Sequence, residues 1–308
     1  MLIYRHKDCL LKDNGLNHPE RKERINSILY SIKQLKDLKV EFKDAPLADI
    51  ETISLVHPKK HIEKIFSNIP KSGLIGVEKE PYADTMLCPK SKKAILRSCG
   101  AGIAAADELM KKNERVFCAI RPPGHHAETT KAMGFCFVNN IAVTAKYLQY
   151  KYKVNKIAII DFDVHHGNGT QEIFYNDETV SYASSHEFPL FPGTGSEEET
   201  GVGNIFNAPL KTGMKSKEFL NIFEQKILRP IDKFKPEIIL ISAGFDAHTR
   251  DPLANINLES EDFYEITKQI VNLANIHCKG KVISFLEGGY DLLALSESIK
   301  HHLLALKS

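Results

Sequence analysis

The chain has 308 residues, 43% hydrophobic and 26% charged, with 41 basic side chains against 39 acidic ones. That composition excludes collagen-like, low-complexity and broadly disordered polymers, and a net charge of +2 leaves no concentrated basic face of the kind that grips nucleic acid. The length suffices for one large α/β domain or two smaller ones.

In chain order, hydrophobic periodicity predicts helices over 19–35 and 91–110, a strand over 116–120 and a helix over 141–150. Strands follow over 156–160 and 179–183, then a helix over 217–234, a strand over 237–242, a helix over 261–277 and a strand over 281–286. Strands alternating with helices predict an α/β fold, a parallel sheet with helices on both faces. Ile157, Ala158, Ile159 and Ile160 are apolar on both parities, as a strand covered on both sides requires. The lysine runs around 90–93 and 111–112 read as solvated helix faces. No Pro/Ser/Gly-rich linker divides the chain, so 1–308 is expected to form a single domain. Residues 184–207 show no period, yet their aromatics and prolines argue against disorder, so a loop lining a site is expected there.

No apolar run reaches the ~18 residues of a membrane span, and Met1-Leu-Ile-Tyr-Arg-His shows no secretory hydrophobic segment. Six scattered cysteines (Cys9, Cys88, Cys99, Cys118, Cys136 and Cys278) form no CxxC pair. Neither a disulfide framework nor a thiolate zinc site is expected, and a reducing, cytoplasmic compartment is.

Four segments carry chemistry. Strand 156–160 runs into Asp161-Phe-Asp-Val-His-His-Gly-Asn-Gly169. Alternation puts Ile157, Ile159, Asp161, Asp163 and His165 on one side of an extended chain, which turns from apolar to Asp, Asp, His at its carboxyl end. Ligands bind at that edge of open α/β sheets. Buried carboxylates need partners, and Asp-x-His suits a metal ion, although Asp163 or Asn168 capping the next helix would account for part of the pattern. Strand 237–242 ends in Ser-Ala-Gly-Phe-Asp246, where Gly244 permits a tight turn and Asp246 offers either a third ligand or an Asx turn. Strand 116–120 leads into Arg121-Pro-Pro-Gly-His-His126, whose prolines stiffen a loop bearing two imidazoles suited to acid–base work, metal binding or neither. The last strand leads into Leu286-Glu-Gly-Gly-Tyr290, where a Tyr hydroxyl either donates to a developing oxyanion or simply packs.

Together with His18-Pro-Glu-Arg-Lys-Glu-Arg24, Gly134-Phe-Cys-Phe-Val-Asn-Asn140 and Phe191-Pro-Gly-Thr-Gly195, these segments resemble, in order and across nearly the whole chain, the histone deacetylase family. The class II members and the bacterial acetoin-utilisation and acetylpolyamine deacetylases are the nearest in wording. The resemblance implies the arginase–deacetylase fold and metal-dependent hydrolysis of an acetylated amine. By it, Asp163, His165 and Asp246 are ligands of a catalytic Zn2+, with Fe2+ or Co2+ as alternatives. His126 is the general base and later acid, and His125 its electrostatic companion. Asp161 supports His125, Asn168 supports His126 in place of an acid, and Tyr290 donates to the oxyanion.

Phe135 and Phe191, with Gly134 beside them, resemble the walls of the family's narrow acyl-lysine tunnel. Asp84 corresponds to a rim acid and Arg24 to an internal-channel arginine. Potassium is implied at the backbone oxygens of Asp161, Asp163, His165 and Ser185 and the side chains of Asp161 and Ser184. After Asp251-Pro252 stands Leu253, where polyamine-selective members have an acidic gatekeeper. That favours acetyl-lysine of proteins or peptides over acetylated small amines. The competing readings are an acetylpolyamine deacetylase, a dimanganese ureohydrolase of the same fold and an inactive acyl-lysine binder. The ureohydrolase needs further carboxylates near the Asp-x-His strand, and after His165 the next acid is Glu172. No nucleic-acid or membrane partner is implied, and the oligomeric state is left open.

Overall fold

The structure is a computed structural model describing residues 1–35, 38–77 and 84–308. Its strands in chain order are β1 (Leu2–Arg5), β2 (Glu41–Asp44), β3 (Ile75–Gly76), β4 (Met86–Leu87) and β5 (Val116–Cys118). They continue with β6 (Ile157–Asp161), β7 (Val180–Glu187), β8 (Ile205–Leu210), β9 (Ile238–Ala243) and β10 (Val282–Leu286). Eight of them form one sheet in the order β2-β1-β5-β10-β9-β6-β7-β8, every neighbouring pair parallel, while β3 and β4 pair separately as a short antiparallel hairpin.

Strand alternation sorts the core into two layers. Ala158, Ile160, Ile239 and Ile241 face one apolar cluster, and Ile157, Ile159, Ile238 and Leu240 face the other. The first layer is closed by helices Glu23–Gln34, Asp262–Cys278 and Leu292–Lys307, the second by Ser91–Lys112 and Asn140–Tyr152. Small residues at Gly102, Ala105 and Ala106 let Ser91–Lys112 lie close to the sheet. A Cβ on Gly102 would fall 2.7 Å from the Phe285 ring and closer still to the Thr144 hydroxyl.

Several expectations are corrected. Strands β1, β2 and β8 are not among the elements that periodicity predicts. The aperiodic stretch is shorter than 184–207, because β7 runs on to Glu187 and β8 begins at Ile205. The first long helix starts at Glu23 rather than residue 19. The segment 217–234 is helical, but a π-helical stretch, Phe223–Leu228, separates Ser216–Ile222 from Arg229–Phe234. Pro230 supplies the reason, since its missing N–H and ring clash break the α ladder one turn back. All six cysteines are buried and unpaired. Among the described residues no helix is long and apolar enough to cross a membrane.

Candidate active site

Five adjacent strands, β5, β10, β9, β6 and β7, deliver their carboxyl ends to one edge of the sheet. There Asp161 pairs in register with Ser184 on one side and Ser242 on the other. β6 stops at Asp161, so Asp163 and His165 lie beyond the strand. The chain bends there through two consecutive carboxylate turns, Asp163 N donating to Asp161 Oδ1 (3.1 Å) and His165 N to Asp163 Oδ1 (2.9 Å).

Asp163, His165 and Asp246 converge, one ligand atom from each lying within 4.8 Å of the others, all three residues buried. His165 Nδ1 stands 3.2 Å from both Asp163 Oδ1 and Asp246 Oδ2. The second oxygens of the carboxylates are aimed by backbone, with Gly288 N donating to Asp163 Oδ2 (2.7 Å) and Val164 N to Asp246 Oδ1 (2.9 Å). Gly244 is present for space and not for a turn. Its φ is not positive, but a Cβ there would overlap the Asp163 carboxylate. At Gly288 a Cβ would overlap the Asp246 carboxylate and sit 2.6 Å from Asp163 Oδ2.

Burial opposes a charged His165, yet the Asp163 and Asp246 carboxylates carry it up to about 10. Asp246 is pushed up by burial and by the Asp163 charge, while Asp163, despite its burial, is held down by the His125 and His165 imidazoles. The cluster is therefore built to hold positive charge. Its two carboxylates and one imidazole nitrogen are the donor set of an open divalent-metal site, in which an ion takes the place of the imidazole proton.

Above the cluster, the rings of His125 and His126 lie 3.9 Å apart, centroid to centroid. His125 Nδ1 meets Asp161 Oδ2 at 3.0 Å, and the Tyr182 hydroxyl donates to the same oxygen at 3.0 Å. His126 Nδ1 meets Asn168 Oδ1 at 2.9 Å. Asn168 is thus no helix cap. Its Oδ1 faces the imidazole while its amide donates to Glu128 Oε1 (2.7 Å). Burial lowers His125, but Asp161 and Asp163 outweigh it and raise the group to about 10. His126 is held well below the usual imidazole range by burial and then by its positive neighbours His125 and His165. The pair splits into a cation and a neutral base, the separation that acid–base chemistry exploits.

A cavity of about 210 Å³ opens over these groups, lined by Asp84, His126, Gly134, Phe135, His165, Leu190, Phe191, Leu253 and Tyr290. Phe191 is 40% exposed at the mouth, edge-on to the His126 ring at 5.1 Å, and Phe135 stands edge-on to Tyr290 at 6.1 Å. Asp84 accepts from Gly134 N (3.2 Å). Arg24 is not in the lining. It lies buried behind Tyr290, guanidinium carbon 4.9 Å from the ring centroid, with Nε donating to Gly289 O (2.7 Å). Ser184 Oγ lies 2.9 Å from His186 Nδ1, and the buried Ser185 hydroxyl has no hydrogen-bond partner.

Two participants carry no signal of their role in the sequence. Glu287 is buried, and its Oε2 accepts from Gly124 N (2.7 Å) and His125 N (3.2 Å), bracing the histidine loop. Burial raises its carboxyl to about 7. It stands inside the Leu286–Tyr290 motif, but its partners are 162 and 163 residues away. Tyr182 reads in sequence as an ordinary strand aromatic.

A narrow apolar-walled cavity over an Asp/His/Asp cluster able to hold a divalent ion, at the carboxyl edge of a parallel sheet, marks a hydrolase of the α/β class. Residues 18–306 match the histone deacetylase domain, and the chain belongs to that family. It is 37% identical over 302 residues to "Histone deacetylase 10, chloroplastic" of Oryza sativa subsp. japonica, covering 92% of this chain and 68% of that protein. It is 35% identical over 297 residues to a "Probable deacetylase" of Archaeoglobus fulgidus, covering 93% and 80%. The crystal structure of the HDA15 HD domain superposes with a TM-score of 0.92 at 29% identity, covering 100% of this chain and 91% of that one. The architecture is the arginase–deacetylase fold expected from the motifs.

Proposed function

We propose that residues 1–308 form one zinc-dependent deacetylase domain that removes acetyl groups from lysine side chains of proteins or peptides and releases acetate. The observation that carries this reading is the convergence of Asp163, His165 and Asp246 beneath a cavity lined by His126, Phe135, Phe191 and Tyr290. Zn2+ is the proposed ion, with Fe2+ or Co2+ as functional alternatives, because one imidazole and two carboxylates suit each of them.

Bound there, the ion supplies Lewis acidity to the acyl carbonyl and lowers the pKa of water beside it. Phe135 and Phe191 grip the methylene stem and exclude water from it. Neutral His126 accepts the proton of the attacking water at its free ring nitrogen, because Asn168 occupies Nδ1, and returns that proton to the leaving amine. The Tyr290 hydroxyl donates to the charge that develops on the carbonyl oxygen, and cationic His125 acts as the electrostatic companion of His126. Leu253, not an acid, lines the cavity where a polyamine's second cation would lie, which favours acyl-lysine over acetylated diamines. Potassium at the backbone oxygens of Asp161, Asp163, His165 and Ser185 and the side chains of Asp161 and Ser184 is part of the proposal. A cytoplasmic location is proposed from the six unpaired cysteines.

The test compares acetate release from acetyl-lysine peptides, longer acyl-lysines and acetylated diamines, with Zn2+, Fe2+ or Co2+ supplied. The peptide is expected to turn over fastest, with about one transition ion per chain and inhibition by hydroxamates. Two ions per chain with guanidine hydrolysis makes the protein a ureohydrolase, and inertness with all three ions ends the reading.

A further inference from the structure

Asp251 follows the third cluster residue and is buried, and both of its oxygens are engaged by backbone. Oδ1 accepts from Leu253 N at 3.0 Å, and Oδ2 accepts from Tyr290 N at 2.7 Å and Asp291 N at 3.4 Å. One carboxylate thus joins two walls of the cavity that arise from the loops after β9 and β10, reaching Tyr290 from 39 residues away in the chain. The Tyr290 segment needs such a tie. It follows Gly288 and Gly289, the latter at φ +113°, so no Cβ of its own restrains the chain leading into Tyr290. Arg24 holds the other side of this segment through Gly289 O (2.7 Å), leaving the Tyr290 N–H to Asp251.

We propose that Asp251 is a positioning residue that sets the Tyr290 hydroxyl over the acyl carbonyl by clamping the Leu253 and Tyr290 backbones together. The proposal rests on Tyr290 being the oxyanion donor. The chemistry of the clamp is specific to a carboxylate. Its partners on both sides are N–H donors, whereas an amide has one accepting oxygen and would turn its NH2 toward the N–H of Leu253 or Tyr290.

The experiment places Asp251→Asn in the metal-loaded wild-type protein and in Tyr290→Phe, with kcat, KM, metal content and thermal melting measured for each. In the wild-type background kcat is expected to fall about 10- to 100-fold, the cost of a misplaced catalytic group, with metal content unchanged. In Tyr290→Phe the same change is expected to cost about twofold or less, because the group it positions is gone. Equal losses in both backgrounds overturn the proposal and leave the Tyr290 reading standing, as does an unchanged kcat in Asp251→Asn alone. Wild-type kcat in Tyr290→Phe removes the reading and the proposal with it. Asp251→Glu, which keeps both oxygens but displaces them by a methylene, carries the same comparison if the Asn variant does not fold.

Discussion

His126 shows how far a neighbourhood sets the behaviour of one side chain. Burial and then the positive charges of His125 and His165 hold its pKa well below the ordinary imidazole value of 6.5. A divalent ion at the cluster is positive too and acts in the same direction. The group is therefore fully neutral at pH 7, and its basic form is lost only as pH falls through that depressed pKa. The acid limb of kcat/KM is accordingly expected below pH 6.5, and a limb centred above pH 7 would contradict the assignment. His126→Ala is expected to lower kcat by about 10²- to 10⁴-fold while the protein stays folded by circular dichroism. The type of this residue was legible in the sequence, but its protonation was not. That depends on His165 and Asn168, which approach only when the loop after β5 meets the loop after β6.

At the scale of elements, the sequence announces what is buried on both sides and hides what is not. The residues of β6, β9 and β10 are all buried and are legible to within a residue or so, because a short run apolar on both parities fits a strand covered on both faces. Strand β2, Glu41–Asp44, lies at the sheet edge with no residue buried, so its Glu-Phe-Lys-Asp carries no such signal. β8 has Pro209 within it, a residue that argues against a strand anywhere but at an edge, where β8 lies. The loops at the active edge were legible as motifs, but the need for bare backbone at Gly288 was not, because the two carboxylates it abuts stand in the loops after β6 and β9. Gly288→Ala is expected to abolish binding of the proposed metal ion, since its Cβ would overlap the Asp246 carboxylate and crowd Asp163. Metal content after dialysis checks this, and full retention would show that the loop after β10 yields.

At the scale of the molecule, the candidate site exists only when the middle of the sheet is assembled, because its groups come from β5, β6, β9 and β10, which lie side by side in space and far apart in the chain. The separate motifs could be read in sequence, but the shared edge on which they meet is a property of strand order. The same completeness of packing governs the thiols. All six cysteines are buried, which shields each sulfur from reagents, and burial also raises the pKa values of Cys9, Cys99, Cys118, Cys136 and Cys278, the last to about 11. Thiolate is the form that attacks electrophiles, so the native chain presents alkylating reagents with almost nothing to react with. Iodoacetamide uptake is expected to be negligible at pH 8 and to rise only in step with denaturant-induced loss of circular dichroism, whereas rapid labelling of the native chain would refute it. It follows that alkylation can count the unfolded molecules in a sample, and that one cysteine engineered on an exposed helix face would be a unique handle for attaching a fluorophore.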